Sequence, residues 1–372
     1  MRIIIALILA FFINSTAQAE TFKSTDYKLR LITVASGLAH PWGLAFLPGG
    51  KMIVTERQGA IRIVSPNGHL SPPLAGLPKV FASGQGGVLD VALDPNFSDN
   101  QTVYFSYAEA GAGGAGTAVA RAILDVAGNR LNEVMVIFRQ VPKTSGGRHF
   151  GSRLVFSRDG NLFITIGERG ERHRAQDFSI NRGQVIRIRP DGSIPADNPF
   201  VGKQGYRPEV WSYGHRNAQG AALHPVSGKL WTVEHGARGG DEVNVPKAGG
   251  NYGWPVIAYG RHYSGGKIGV GTHKEGMEQP VYYWDPSIAP SGMAFYTGDK
   301  FPKWKGSLLI GALKFQLLSR LTLEGEKVTG EERILEGLGE RIRDVRQGPE
   351  GYVYILTDSG NGRIIRIEPA VN

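Results

Sequence analysis

The chain of 372 residues carries its chemically versatile side chains at matching points of a repeated pattern, just before or just after short apolar runs. The set consists of Gln85, His149, His215, Arg216, Asn217, Lys314, Arg341 and Arg343. An imidazole can take up a proton near neutral pH, and Arg and Lys side chains bind anions through charge-assisted hydrogen bonds. A single residue of this kind is more often structural or solvent-exposed, but the joint pattern predicts one shared pocket.

Four members of the set are cations, namely Arg216, Lys314, Arg341 and Arg343. Brought to one pocket, they repel each other unless an opposite charge lies between them. We therefore expect a polyanionic ligand, held by hydrogen bonds that are often bidentate. The formal net charge of +9 agrees with an anionic small ligand. No nucleic-acid partner is expected, because the chain has no dense Lys/Arg run with interleaved aromatic residues.

The elements that must position this pocket are six similar hairpins. Each has an apolar alternation, a turn rich in Pro, Asp or Gly, and a second β run that ends near Thr or Ser. The copies span 41–56, 86–107, 152–170, 218–236, 291–313 and 342–358, and further β runs occur at 60–64 and 363–369. This repetition predicts an all-β fold, a six-bladed β-propeller with four-stranded antiparallel blades and long loops that form the site at one end of the channel. A pair of β-sandwiches is the alternative, although six hairpins in series do not suggest two Greek keys.

A glycine-rich stretch, Gly236 to Gly240, ends the fourth copy, and Asp241 and Glu242 follow it. Such a stretch turns backbone carbonyls toward a ligand, and Ca²⁺ prefers carbonyl and carboxylate oxygens. The spacing is not that of an EF-hand loop. An acidic hairpin tip in salt bridges with nearby cations is therefore the alternative to a metal site.

The first nineteen residues predict a signal peptide, with Arg2, an apolar run from Ile3 to Ile13 and the small-residue site Ala17-Gln18-Ala19. We expect cleavage after Ala19 and a periplasmic protein. A membrane anchor is the alternative, but this apolar run is too short to span a bilayer, and no later run is long enough. The absence of cysteine excludes disulfides and thiolate metal sites. Residues 20–372 are expected to form a single propeller domain.

Four segments in this order, "YGHRNAQGAALHP", "DEVNVPKAGGNYGWP", "LLIGALK" and "RIRDV", resemble the glucose/sorbosone dehydrogenase family. The likeness runs from about Thr33 to Pro369 and is strongest to the aldose sugar dehydrogenases of the Gram-negative periplasm. The resemblance implies a six-bladed propeller that oxidises sugars with pyrroloquinoline quinone (PQQ) and Ca²⁺. PQQ carries three carboxylates, which agrees with the polyanion expected from the cations.

The resemblance also implies a role for individual residues. His149 corresponds to the catalytic base. The positions that contact PQQ correspond to Gln85, Arg216, Asn217, Lys314, Arg341, Arg343 and, less closely, Tyr263. Gly236 and Ala237 correspond to backbone carbonyls that bind the Ca²⁺ next to PQQ. Glu242 and the carbonyl of Tyr252 correspond to a second, structural Ca²⁺ site, and Trp284 to a substrate-facing aromatic.

The implied reaction begins when neutral His149 takes the proton of the C1 hydroxyl of an aldose. A hydride passes from C1 to PQQ, a cation such as Lys314 or Arg216 stabilises the negative charge that develops, and the product is the lactone. One position departs from the glucose-specific branch, which has an acidic residue where Arg148 stands here. Because an arginine aimed at the imidazole would lower its pKa, either Arg148 points elsewhere or another group orients His149.

Two other functions are compatible with a propeller. A metal-dependent lactonase or other hydrolase would need an acidic, Asn-rich metal centre in the channel, and a non-catalytic sugar-binding or protein-binding propeller would not need this residue set. The dehydrogenase hypothesis requires an aldose substrate and an external electron acceptor that the sequence does not identify. We expect a monomer or a homodimer.

Overall fold

The computed structural model describes residues 20–370, in which twenty-four strands form six antiparallel sheets. The signal-peptide prediction falls on residues outside this range. No helix of residues 20–370 has the length and apolar character needed to cross a membrane. The helices are short, comprising α1 (Phe97–Asn100) and 3₁₀ turns at Pro48–Gly50, Arg172–Gln176 and Pro302–Trp304.

The six sheets follow one another along the chain as the blades of a β-propeller. Blade 1 consists of β3 (Pro41–Phe46), β4 (Met52–Glu56) and β5 (Ala60–Val64), blade 2 of β6 (Val88–Leu93), β7 (Thr102–Gly111), β8 (Gly114–Asp125) and β9 (Arg130–Arg139), and blade 3 of β10 (Leu154–Phe156), β11 (Leu162–Ile166), β12 (Gln184–Ile188) and β13 (Val210–Tyr213). Blade 4 consists of β14 (Ala218–Leu223), β15 (Leu230–Glu234), β16 (Asp241–Asn244) and β17 (Tyr282–Trp284), and blade 5 of β18 (Pro290–Phe295), β19 (Leu308–Ala312), β20 (Leu318–Glu324) and β21 (Lys327–Ile334). Blade 6 contains β22 (Ile342–Gln347), β23 (Val353–Thr357) and β24 (Gly362–Pro369), together with the N-terminal strands β1 (Glu20–Lys23) and β2 (Lys28–Leu38). The six-bladed propeller predicted from the repeats is confirmed.

Two blades differ from the four-stranded pattern. Blade 1 has three strands, and the chain that follows it forms isolated bridges, Val64 to Leu70 and Ala75 to Arg130, in place of a fourth strand. Blade 6 has five, because β2 pairs antiparallel with β24, with Leu31 opposite Ile367. This pairing joins the N-terminal strands to the last blade. It closes the ring and covers the edge of β24, which would otherwise be free to pair with another chain.

In blades 1 to 3, the hydroxyl residue near the end of the second β run connects its blade to the next one. Ser106 Oγ donates to the carbonyl of Ser152 at 2.7 Å, and Thr165 Oγ1 donates to that of Ala218 at 2.9 Å. Thr55 makes the same bond to Leu89. Each acceptor lies at the start of the innermost strand of the next blade. The Thr or Ser in the repeat is therefore selected because a buried carbonyl at the blade junction needs a donor.

The core lies mainly between adjacent blades, where fully buried aliphatic and aromatic side chains interdigitate. At the centre of the ring, four charged residues close the channel instead. Arg153 contacts Asp90 at 2.9 Å and Asp344 at 3.1 Å, and Arg346 contacts the same two carboxylates at 2.7 and 2.8 Å. Each innermost strand begins on the same side of this plug, which we call the site end of the channel.

Candidate functional site

A cavity of about 290 Å³ lies at the site end, close to the lower size limit of small-molecule sites. Its lining includes three of the residues expected from the sequence, Gln85, Arg341 and Arg343, and adds Arg57 and His235. Residues from loops of several blades thus reach one pocket although they stand hundreds of positions apart. Three arginines in the wall favour an anionic ligand.

His149 lies beside this cavity, because the side-chain Oε1 of Gln85 accepts a hydrogen bond from the His149 backbone N–H at 2.7 Å. Its backbone has φ 56°, a left-handed conformation that is strained for a residue with a Cβ and occurs often at functional sites. The imidazole Nδ1 bonds to Oε1 of Glu168 at 2.5 Å. No residue among 20–370 bonds to Nε2. Glu168 therefore fixes the ring and leaves Nε2 as the free nitrogen.

The loop that carries His149 is held by the residue next to Glu168. Arg169 is buried, stacks on the ring of Phe150 and donates to the carbonyls of Gly146 and Arg148. The exposed Arg148 side chain extends over Gly170, where an added Cβ would lie 2.8 Å from Arg148 Nε. Arg148 thus lies along the 167–171 loop, and Glu168 is the group that orients the imidazole.

Burial lowers the pKa of His149 from its ordinary value of 6.5, and the charge of Arg216 lowers it further. The hydrogen bond and the negative charge of Glu168 oppose this shift, and the Arg148 charge adds a smaller lowering. The imidazole is accordingly neutral at pH 7, with a lone pair available at Nε2. It can accept a proton from a ligand in the channel.

The cations of the cavity are held in place by polar neighbours. Arg343 donates to Gln219 Oε1 at 2.7 Å and to Asp358 Oδ2 at 2.8 Å. Asp358 also bonds to His40 Nδ1 at 2.7 Å and lies 3.7 Å from Arg341. The nearby arginines hold the pKa of Asp358 well below its usual range, so this carboxylate stays ionised and positions the guanidinium groups.

Arg216 and Asn217 lie between the cavity and blade 4. The Arg216 side chain is buried, donates to the carbonyl of His235 at 3.2 Å and packs over Trp254. Its Nε and the Nδ2 of the fully buried Asn217 have no hydrogen-bond partner among residues 20–370. Buried donors without partners are rare in folded proteins, so both positions suit a ligand that brings acceptors.

The glycine-rich stretch borders a second, much smaller cavity of about 20 Å³, enough for one water molecule or one ion. Gly236, Ala237, Glu242 and Tyr252 all line it. Glu242 lies directly opposite Glu234 in the pairing of β15 with β16. Burial raises the pKa of Glu242 to about 8, and the charge of Glu234 adds to the shift.

Two like-charged carboxylates opposite each other destabilise a sheet unless a proton or a cation separates them. Within residues 20–370, however, no three His, Cys, Asp or Glu side chains converge as metal ligands. A cation at this point would therefore depend on backbone carbonyls in addition to Glu242. These are the oxygen ligands that Ca²⁺ accepts.

Three expected residues lie apart from these cavities. Lys314 is exposed and extends over Phe315, two residues beyond the end of β19. Tyr263 is 74% exposed on the 255–272 loop. Trp284 is 3% exposed, packs in the core between blades 4 and 5, and donates from Nε1 to Glu331 at 2.8 Å. The substrate-facing position expected for Trp284 is therefore wrong, because the alternation of β17 turns this ring into the sheet interface.

Sequence reasoning missed several residues of the site, namely His40, Trp42, Arg57, Glu168, Gln219, His235 and Asp358. A signal for two of them was present. Glu168 and Asp358 follow the second strands of their repeats and Glu234 ends its own. All three bond to a histidine that precedes an innermost strand. An alignment of the repeats on this acid would have identified the partner of His149.

Fold and site together define a β-propeller protein with an arginine-walled cavity at one end of its channel. The family model "Glucose / Sorbosone dehydrogenase" matches residues 38–366, so the chain belongs to that family. It is 49% identical over 336 residues to "Aldose sugar dehydrogenase YliI" of Escherichia coli (strain K12), covering 89% of this chain and 91% of that protein.

Solved structures agree with this assignment. The apo-form of the soluble aldose sugar dehydrogenase from Escherichia coli matches with a TM-score of 0.90 and 48% identity, over 92% of this chain and 100% of that one. The PQQ-bound form of an aldose sugar dehydrogenase from Streptomyces coelicolor matches with a TM-score of 0.76 and 32% identity, over 92% and 98%. These relatives indicate an oxidoreductase that acts on sugars.

Proposed function

We propose that this protein oxidises the C1 hydroxyl of aldose sugars to the lactone, with PQQ as cofactor, Ca²⁺ as metal and an external electron acceptor. The observation that carries the proposal is the neutral imidazole of His149, held at Nδ1 by Glu168 with Nε2 free, beside a cavity walled by arginines. A hydrolase centred on a metal would need acidic ligands in this wall, and Asp358 is already engaged by Arg343 and His40.

The residues present fit a flat tricarboxylate. Gln85, Arg341 and Arg343 line the cavity, and the unpartnered Nε of Arg216 and Nδ2 of Asn217 offer further donors. Lys314 directly follows Leu313, which lines the same cavity. When bound, PQQ supplies the two-electron acceptor that the side chains of this protein lack. Tyr263 would have to move with its exposed loop to reach the cofactor.

The residues of the glycine-rich stretch fit Ca²⁺. The carbonyls of Gly236 and Ala237 would bind the ion near the cofactor, and Glu242 with the Tyr252 carbonyl would bind a second, structural ion. The raised pKa of Glu242 supports a cation there, because a positive charge would offset the repulsion from Glu234. Gly236 itself must lack a side chain, since a Cβ would lie 2.2 Å from the Gly239 carbonyl oxygen.

In the reaction, His149 Nε2 accepts the proton of the C1 hydroxyl while the sugar lies against the cofactor. Glu168 stabilises the imidazolium that forms, because its carboxylate bonds to the opposite ring nitrogen. Arg216 lies beside the cavity and stabilises negative charge that develops during transfer, and Lys314 would have to turn in from the surface to do the same. Within residues 20–370 the charged plug closes the channel, so the sugar would enter and the lactone leave at the site end.

The test is reconstitution of the cofactor-free protein. PQQ binding is first measured by calorimetry with and without Ca²⁺, and reduction of a small neutral dye is then followed with several aldoses. We expect PQQ binding and dye reduction that depends on PQQ, Ca²⁺ and sugar together. Failure to bind PQQ, or hydrolysis of lactones without any cofactor, would overturn the proposal. The periplasmic location and the oligomeric state stay predictions.

A further inference from the structure

The two ends of the propeller differ in charge. The loops that lie entirely at the site end contain twelve Lys and Arg residues but only seven Asp and Glu residues. These loops span 39–40, 57–59, 112–113, 140–153, 167–183, 214–217, 235–240, 285–289, 313–317, 335–341 and 358–361. The loops that lie entirely at the far end contain nine Lys and Arg residues and nine Asp and Glu residues. These loops span 47–51, 94–101, 126–129, 157–161, 189–209, 224–229, 296–307, 325–326 and 348–352. The positive charge of the chain is therefore concentrated around the mouth of the site.

Much of this charge is not neutralised within the protein. We define the basic rim as Arg148, Arg172, Arg238, Lys267 and Lys314. All five are exposed, and none has a carboxylate within 4.0 Å among residues 20–370. Arg172 instead contacts His262 at 3.2 Å, and Arg238 is paired through its backbone with Arg261, which is itself bridged to Lys267. Backbone pairing thus brings Arg238, Arg261 and Lys267 next to one another at this end of the protein.

The spread of the rim excludes the sugar as its partner. Its five residues lie on the connections between β9 and β10, β11 and β12, β15 and β16, β16 and β17, and β19 and β20. These loops connect strands of blades 2 to 5, and their cations lie outside the cavity wall. A monosaccharide inside the channel cannot reach all of them. The rim has the extent of a protein contact and the charge that attracts an acidic surface.

The reaction itself requires such a contact at this end. Conversion of an aldose to its lactone releases two electrons and two protons, and the Asp90–Arg153–Asp344–Arg346 plug closes the channel below the cavity. An acceptor must therefore approach the reduced cofactor through the mouth that the rim surrounds. A protein acceptor with a one-electron centre takes one electron at each encounter, so two acceptor molecules are reduced for each sugar oxidised.

We propose that the basic rim is the docking surface for an acidic redox protein that takes the electrons from this enzyme. The inference rests on the proposed function, since it needs a reduced cofactor in the channel. Charge complementarity around an exposed centre raises the association rate through long-range steering, and salt screens that effect within about 10 Å at 0.1 M ionic strength. The enzyme should thus distinguish protein acceptors by charge.

A matched pair of probes tests this. Native cytochrome c is basic, and the same protein with its lysines succinylated is acidic. With PQQ, Ca²⁺ and aldose present, we expect the second-order rate of succinylated cytochrome c reduction to fall roughly tenfold or more between low and 0.2 M salt, in the range known for steered association. Reduction of native cytochrome c should instead increase with salt, because screening relieves repulsion.

Charge-reversal variants locate the surface. The double variant Arg172→Glu/Lys267→Glu changes two rim residues that neither line the cavity nor contact His149. The control Lys51→Glu/Lys327→Glu makes the same change of charge at two exposed residues of the far end. We expect the rim variant to reduce succinylated cytochrome c at least about fivefold more slowly at low salt and the far-end variant to match the parent, because steering acts over about one Debye length. Each comparison uses one probe, so the redox potential of the probe cancels.

Two readouts separate this inference from the proposed function. Reduction of a small neutral dye reports the chemistry, and binding of fluorescently labelled succinylated cytochrome c to the cofactor-free protein reports docking without turnover. Absence of dye reduction overturns the dehydrogenase proposal. The docking surface alone is overturned by a different outcome. In that outcome dye reduction is normal, and the rim and far-end variants reduce and bind the acidic probe equally well.

Discussion

The same pair of side chains occurs twice in neighbouring blades and has two different fates. His149 and Glu168 in blade 3, and His215 and Glu234 in blade 4, are each nineteen residues apart and joined through Nδ1, at 2.5 and 2.7 Å. In both, the histidine precedes the innermost strand and the glutamate follows or ends the second strand. The repeat has therefore placed one device at two equivalent positions.

What differs is the second ring nitrogen. Nε2 of His215 bonds to Ser212 Oγ at 2.9 Å, and its fully buried ring stacks on Tyr252 at 4.5 Å. Nε2 of His149 has no partner among residues 20–370, and this residue has the strained φ of 56°. A histidine–glutamate pair is thus structural when both nitrogens are used and available for chemistry when one is left free.

The largest effect is expected from His149→Ala. Loss of general-base catalysis should lower kcat by roughly 10²–10⁴-fold, while PQQ binding stays close to that of the parent. Dye-reduction kinetics and calorimetry measure the two quantities. A variant that binds PQQ and turns over at the parental rate would show that His149 has no role in proton transfer.

Glu168→Gln should have the next largest effect. It exchanges a charge-assisted hydrogen bond for a neutral one, a loss of roughly 1–1.5 kcal/mol that corresponds to about 5–10-fold in kcat/KM. Because His149 must be neutral and its pKa is lowered, the acid limb of the parent pH profile should lie below pH 6.5. The variant loses the contribution of Glu168 that raises this pKa, so its limb should move to still lower pH. An unchanged limb would contradict the assigned contact.

His215→Gln should affect stability rather than turnover. It removes a buried partner of Glu234 and should lower the free energy of unfolding by roughly 1–3 kcal/mol, measured in urea. At temperatures well below the Tm of the variant, kcat should remain within about threefold of the parent value, since His215 does not border the channel cavity. Loss of the general base would lower kcat by far more than that. A loss of activity as large as that of His149→Ala would show that the two pairs are not functionally different.

The smallest effect is expected at Glu242, the carboxylate that lies opposite Glu234 in the sheet. In metal-free protein the folded-state pKa of Glu242, about 8, lies above its ordinary 4.5. The group therefore favours the folded state at low pH, and this contribution is lost as pH rises through 8. Added Ca²⁺ should raise Tm by a few degrees, because binding at a Ca²⁺ concentration of 100 Kd contributes about 2.7 kcal/mol. The rise should be larger at pH 8 than at pH 6, because more of Glu242 is ionised at pH 8.

Glu242→Gln should abolish both the pH dependence and the Ca²⁺ effect on Tm. Glu326→Gln, which changes a surface glutamate paired with Lys229, is the matched control and should leave both unchanged. Equal Ca²⁺ responses in the two variants would contradict a metal site at Glu242.

Much of the fold was predictable because blade repetition leaves a local imprint. The alternation in "LFITI" and "LWTVE", the turns between runs and the Thr near each end are all set by burial within a few residues. The closure by β2 on β24 was not predictable in this way, because it joins residues more than three hundred positions apart. Nothing in the 28–38 segment itself indicates its partner.

For the site, residue types at repeat boundaries selected His149, Arg216 and Arg343 as candidates. Whether a selected residue faces the channel depends on neighbouring blades, and for this reason Trp284 was assigned to the wrong environment. The sequence by itself determined six repeated hairpins and a set of four cations at the boundaries of the last three. Only the tertiary structure decided that Arg148 turns aside, that Glu168 takes the imidazole, and that one histidine of two keeps a free nitrogen, because ring closure brings distant loops into hydrogen-bond distance.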